Sequence, residues 1–398
     1  MTTKKHWILP EGIEEVLPEQ AARFEAMRRL LLDLYASWGY ELVMPPTLDF
    51  IESLLTGTGH DLDLQTFKLV DQLSGRTLGL RADMTPQVAR IEAHQLRRDV
   101  PTRLCYIGTV LRTRPESIGD SRSPLQVGAE LYGHAGVESE VEIIGLMLQT
   151  FAAMEIDDIY LDLGNVDIYR GLAKQAGLSA EVEGQLFEML QRKAVTEIDS
   201  LLSSLDIAVD MKAMLAGLSS LNGDSSVFDK ARTLLADADS SVKQAIDYLE
   251  KTAELMEQRF GLVKINFDLA ELHGYHYKTG VVFAAFVPQL GQAIARGGRY
   301  DDIGEVFGRA TAATGFSTDL KVLNRLSAKQ FSVRDKIFAP LEADQNVVAE
   351  LRAAGEIVIE QLPGQGADVQ DTAVQDAASM GCNKSLCLID GRWTVKDQ

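Results

Sequence analysis

Several polar residues stand where regular secondary structure would not place them without cause. Strand alternation in L-Q-V-G-A-E-L-Y (125–132) puts Gln126, Gly128 and Glu130 on one face and Leu125, Val127, Ala129 and Leu131 on the other. In L-C-Y-I-G-T-V-L-R (104–112), Tyr106, Gly108, Val110 and Arg112 share a face. A Glu, a Gln and an Arg on central strands are costly unless paired or bound to a ligand. Two glycines on the same faces leave room above the sheet for a small molecule. The competing reading is a structural Arg112–Glu130 ion pair. In L-R-A-D-M-T-P-Q-V-A-R (80–90), Asp83 and Thr85 end a strand and open a helix whose first turn holds Pro86. Capping that helix is the competing role for both. R-G-G-R-Y-D (296–301) combines a glycine pair with alternating charges, a weak signal for a turn or a phosphate loop.

Two of the six histidines, His273 and His276, fall in L-H-G-Y-H-Y-K-T-G (272–280). The flanking runs F-D-L-A-E and V-V-F-A-A-F are strand-like, and residues three apart in a strand point to opposite faces. The pair is therefore a poor metal site, and no metal is expected. The cysteines Cys105, Cys382 and Cys387 fit neither a disulfide framework nor a zinc site, and read as reduced thiols.

The elements that must position these residues follow from periodicity. Residues 19–38 carry Phe24, Met27, Leu30, Leu31, Leu34, Tyr35 and Trp38 at helical spacing, with Gly39 as a stop. Y-E-L-V-M-P-P is a short strand, and T-F-K-L-V with T-L-G-L forms a hairpin around a Ser-Gly turn. Strands are expected at 104–112, 125–132 and D-I-Y-L-D-L-G-N, and a helix at 138–154. From about 166 to 261 the texture is helical, clearest where Val242, Ile246, Leu249, Ala253, Met256 and Phe260 recur. Strand patterning returns in L-V-K-I-N-F-D-L and V-V-F-A-A-F-V. Beyond about residue 325, K-I-F-A-P, a helix near 346–354, E-I-V-I-E-Q-L, a helix near 371–380, S-L-C-L-I-D and R-W-T-V make a small alternating α/β module. Two domains follow: 1–325, interrupted by the helical insertion, and 326–398.

The chain has 398 residues, 46% of them hydrophobic and 24% charged, which is an ordinary globular composition. No apolar run is long enough to span a bilayer. The N-terminus lacks the apolar stretch of a secretory signal, so a cytoplasmic protein is expected, with no membrane partner. The net charge of −19 argues against a nucleic-acid partner, because a polyanion would be repelled over much of the surface.

P-E-G-I-E-E-V-L-P, W-G-Y-E-L-V-M-P-P, T-L-G-L-R-A-D-M-T-P-Q-V-A-R, Y-I-G-T-V-L-R, L-Q-V-G-A-E-L-Y-G, G-G-R-Y-D and A-T-G-F-S-T-D-L follow one another in the order and spacing of histidyl-tRNA synthetase. The resemblance covers roughly residues 9 to 325. It implies an α+β class II synthetase fold, an antiparallel sheet flanked by helices, usually dimeric. It also implies a histidine pocket at Asp83, Thr85, Arg112, Gln126 and Glu130. An α-ammonium suits Asp83, Thr85 and Gln126, and an imidazole N–H suits Glu130. Tyr277 and Tyr300 are expected to wall the ring, His273 and Tyr275 complete the expected histidine-binding set, and His273 stands where the family keeps a catalytic Arg.

The departures from that family bear on function. Arg114 replaces the motif 2 Glu on the adenine side of ATP. Asp120 aligns with an Arg that faces the phosphates, and Val322 with the Arg of motif 3. Phosphoryl-transfer chemistry depends on placed positive charge. The resemblance therefore narrows to the regulatory subunit of ATP phosphoribosyltransferase, whose G-Y-H-Y-x-T-G and S-x-x-P-L-Q-x-G-A-E patterns match. It implies a subunit without catalytic residues or cofactor. Its partner is the short-form catalytic subunit, bound by a homodimer within a hetero-oligomer, generally a hetero-octamer, and L-histidine is its ligand. The alternative is an active synthetase-like enzyme that adenylates histidine.

Overall fold

A computed structural model describes residues 8–56, 60–115, 120–261, 264–270, 274–275, 277–332, 334–363 and 377–397. They fall in two compact units, Met1–Lys329 and Gln330–Gln398.

In the first unit the chain opens with the helix Pro18–Ser37, which starts on proline and buries Phe24, Met27, Leu31 and Tyr35 along one stripe. Strands β1 (Glu41–Leu42) and β2 (Leu48–Phe50) follow, then the hairpin β3 (Lys68–Val70) and β4 (Thr77–Leu80). The helix Thr85–Arg90 continues into a π-helical turn, Ile91–Leu96. Next come β5 (Thr102–Thr109), β6 (Leu125–Tyr132), the long buried helix Val137–Ala153 and β7 (Tyr160–Asn165). From Val166 to Phe260 the described chain is mostly helical, broken by β8 (Asn222–Gly223). It returns to strand at β9 (Lys264–Asp268), β10 (Val281–Phe286), β11 (Ala295–Arg299) and β12 (Ala313–Asp319).

Nine of these strands form one sheet in the order β1-β5-β6-β12-β11-β10-β7-β9-β8. Every pairing from β5 through β7 is antiparallel, and β1–β5 and β7–β9 are parallel. Two sequence expectations change here. The R-G-G-R stretch is neither turn nor phosphate loop: Gly297 and Gly298 lie inside β11, paired on both sides. Strand β5 ends at Thr109, so Arg112 stands beyond it.

The second unit has a four-stranded sheet, β14-β13-β15-β16, from β13 (Lys336–Ala339), β14 (Ile357–Glu360), β15 (Lys384–Ile389) and β16 (Arg392–Asp397). Its core joins Ile337, Ala339, Val358 and Leu386 to Val348 of the helix Gln345–Ala353. Most of the helix expected near 371–380 lies outside the described residues; 377–379 are helical.

Candidate functional site

The face of the sheet that carries Glu130 is unusually bare. Glu130 of β6 pairs with Gly315 of β12, and Gly315 pairs with Gly298 of β11. One step along, Tyr106 of β5 pairs with Gly128, and its ring lies where a Gly128 side chain would be. A cavity of about 990 Å³ lies above these strands, with Glu130, Gly298, Tyr300 and Gly315 on its lining.

Glu130 sits in the wall of this cavity at 1% exposure. Its Oε1 accepts hydrogen bonds from Thr85 Oγ1 (3.0 Å) and Tyr106 Oη (2.9 Å), and Oε2 accepts one from Tyr300 Oη. Burial pushes the carboxyl up to about 8, and the three hydroxyls only partly offset it. Near neutral pH the side chain therefore favours its protonated form. Hydroxyls, not a guanidinium, hold Glu130. Arg112 Nε instead approaches the Ala82 carbonyl at 3.5 Å, so the ion-pair reading gives way. The Arg112 charge is felt by Asp319, whose carboxyl is raised above its ordinary value, chiefly by burial.

Asp83 makes hydrogen bonds on both sides. Its Oδ1 accepts from Thr85 N (3.0 Å), which steadies the start of the helix, and from Gln126 Nε2 (2.7 Å) at the cavity. Gln126 Oε1 in turn accepts from Met84 N at 3.0 Å. The cavity lining thus brings together Asp83, Thr85, Arg112, Gln126, Glu130, Tyr275, Tyr277 and Tyr300. His273 and His276 lie outside the described residues.

The three tyrosines differ. Tyr300 is buried against Glu130, whereas Tyr277 is 39% exposed at the rim. Tyr275 packs its ring on Tyr169 and Phe187 of the helical insertion, with centroids 5.4 and 5.1 Å away, and its hydroxyl bonds Glu183. Its ring thus joins the helical insertion to the cavity wall. Two further residues belong to the site. Tyr106 has its sequence signal in alternation opposite a glycine. Lys278 also lines the cavity, at 4% exposure, and its Nζ donates to the Gly297 carbonyl. A lysine inside an aromatic, glycine-framed turn was its signal.

Arg299 has a structural role. Its guanidinium pairs with the fully buried Glu140 at 2.5 Å and with Asp301 at 3.1 Å. Asp120 and Val322 line the cavity, Asp120 accepting from Gln292 Nε2 at 3.1 Å, and Arg114 is exposed. Among the described residues no cluster of His, Cys, Asp or Glu could hold a metal, and no helix is long and apolar enough to cross a membrane.

Residues 12–323 match the family described as Histidyl-tRNA synthetase, and residues 334–396 match the ATP phosphoribosyltransferase subunit HisZ C-terminal domain. An ATP phosphoribosyltransferase regulatory subunit from Thioalkalivibrio sulfidiphilus (strain HL-EbGR7) is 58% identical, with 100% of both chains covered. The chain belongs to the ATP phosphoribosyltransferase regulatory subunit family. A regulatory subunit from Methylococcus capsulatus (strain ATCC 33009 / NCIMB 11132 / Bath) is 54% identical over 98% of this chain and 95% of its own. Among solved structures, an ATP phosphoribosyltransferase regulatory subunit/histidyl-tRNA synthetase from Bacillus halodurans C is 28% identical. It covers 96% of this chain and 97% of that one, with a TM-score of 0.82. Histidyl-tRNA synthetase from Nostoc sp. PCC 7120 is 18% identical, with a TM-score of 0.77 over 99% of this chain and 95% of that one. That likeness establishes the class II synthetase-like α+β fold, now carried by a regulatory-subunit family.

Proposed function

We propose that this regulatory subunit performs no chemistry of its own and senses L-histidine in the cavity over β6 and β12. It activates a short-form ATP phosphoribosyltransferase catalytic subunit, which joins ATP to phosphoribosyl pyrophosphate in the first step of histidine biosynthesis. A homodimer of the chain works in the cytoplasm within a hetero-octamer, and bound histidine lowers the partner's activity.

The observation that carries this reading is the Glu130 carboxyl. It is set by three hydroxyls at the cavity wall, with the Asp83–Gln126 pair beside it. An imidazole N–H opposite Glu130 and an α-ammonium opposite Asp83 satisfy both ends of one amino acid. The positions that would handle ATP in a synthetase carry the wrong groups. Asp120 puts a carboxylate, and Val322 an aliphatic side chain, on the lining of the same cavity. A carboxylate beside a triphosphate is repulsive.

Coupling between histidine and the partner needs only about 1–3 kcal/mol of differential affinity, and it is reciprocal. The test is to add the chain to a short-form catalytic subunit, with and without histidine, and follow phosphoribosyl-ATP formation. Activation that histidine reverses is expected, with the reversal lost in Glu130→Ala. Inhibition unchanged in that variant would remove this cavity as the sensor. Histidine-dependent pyrophosphate exchange with ATP by the chain alone would instead favour an active synthetase-like enzyme.

A further inference from the structure

We infer that the Lys278 ammonium receives the α-carboxylate of the bound amino acid. This rests on the histidine-sensing reading above and adds the group that reading lacks. A zwitterionic amino acid with its ammonium at Asp83 and its imidazole at Glu130 still carries an anion, and a cation must meet it.

Lys278 is placed by one glycine of the sheet and one of its own turn. A Cβ on Gly298 would stand 3.1 Å from Lys278 Cδ, and one on Gly274 would stand 3.0 Å from Cε. Gly298 has φ +151, a conformation glycine adopts without strain. The lysine stem thus crosses Gly298 of β11 while the Glu130 carboxyl crosses its direct cross-strand partner, Gly315 of β12. Neighbouring strands lie about 4.8 Å apart, so the two side chains stand over adjacent strands on the lining of the same cavity. The turn itself is anchored from the helix Val166–Gln175. Arg170 donates to the carbonyls of Tyr275 (3.0 Å) and Lys278 (2.9 Å), which fixes the backbone from which the lysine projects.

Two other lining cations have partners of their own. Arg112 reaches the Ala82 carbonyl and acts on Asp319, and Lys321 is held by Glu14 at 2.7 Å. Among the described cations of the lining, Lys278 is the one that is nine-tenths buried. An ammonium in so dry a place makes a charge-assisted hydrogen bond stronger than one at the rim.

The experiment is calorimetric titration of the full-length chain with L-histidine, L-histidinol and histamine, the last two lacking the carboxylate. Wild type is expected to favour histidine. Lys278→Met should weaken histidine about 10–100-fold, the scale of one charge-assisted hydrogen bond, and leave histidinol and histamine within about twofold. Lys278→Arg, which keeps the charge, should retain more of the preference, and thermal melts report whether each variant is folded. If Lys278→Met weakens all three ligands alike, the lysine is only structural and the inference is wrong. Unchanged histidine binding in that variant overturns it too, while leaving the sensor reading intact. Wild-type protein that binds none of the three ligands fails the sensor reading, and this inference with it.

Discussion

The Glu130 carboxyl lies directly over Gly315 of the adjoining strand, so close that a Cβ at position 315 would stand 1.5 Å from Oε2. No side-chain torsion of Glu130 relieves such an overlap while its bonds to Thr85, Tyr106 and Tyr300 persist. The absence of a side chain on β12 is therefore part of how β6 presents its acid.

Gly315→Ala is expected to push Glu130 off its hydroxyls or to spread the strands. Overpacking of this kind costs about 1–3 kcal/mol. Urea unfolding should show a lower midpoint, and histidine inhibition of the assembled complex should be lost. A variant with wild-type stability and full inhibition would show that the close approach is unimportant.

Burial raises the Glu130 carboxyl to about 8, above its ordinary value of 4.5. The folded chain therefore keeps a proton that the unfolded chain releases between those values. The stabilising contribution is complete below pH 4.5 and is lost as pH rises through about 8. Glu130→Gln has no such proton, so wild-type stability minus that of the variant should fall steadily from pH 5 to 9 in urea titrations. Parallel curves would contradict the raised acid. A protonated carboxyl facing imidazole and a carboxylate facing imidazolium hold the same single proton. Histidine inhibition should accordingly weaken above about pH 8.

The Arg299–Glu140 pair is buried between β11 and the helix Val137–Ala153, and Tyr248 Oη donates to Glu140 Oε2 at 2.8 Å. Removing one partner of a buried pair leaves an uncompensated charge and costs about 3–5 kcal/mol. Glu140→Ala should show that loss in denaturant unfolding. A double variant, Glu140→Leu with Arg299→Met, should lose less than the single one. Equal losses would mean that packing, not charge, dominates there.

Tyr275 and Tyr300 differ in what their hydroxyls serve. Tyr275→Phe breaks a bond to Glu183 in the helical insertion and keeps the ring packing, so histidine affinity should change by no more than a few-fold. Tyr300→Phe removes a bond to Glu130 itself and should weaken histidine more, by about the 1 kcal/mol of one hydrogen bond or beyond. Titrations of both variants decide the order, and a reversed order would put Tyr275 at the ligand.

The sequence by itself determined the local elements and the family. Alternation over 125–132 matches β6, Leu125–Tyr132, residue for residue, and the apolar stripe of 19–38 is the buried face of Pro18–Ser37. Period 2 and period 3.6 are properties of neighbouring residues along one backbone, so they can be read without the rest of the chain. Tertiary structure alone decided who meets Glu130. Tyr106 is 24 positions away and Tyr300 is 170, and their bonds depend on the register of β5, β6 and β11. The same holds for R-G-G-R. Its glycines looked like a turn because a strand interior normally excludes them. They belong in β11 because Phe283, Gly315 and Lys278 already fill the space their side chains would need. Likewise, Tyr275 packs on the insertion because Tyr169, Phe187 and Glu183 are brought there by helices 88 to 106 residues earlier. Alternation says which face a residue is on; only cross-strand pairing and packing say what waits there.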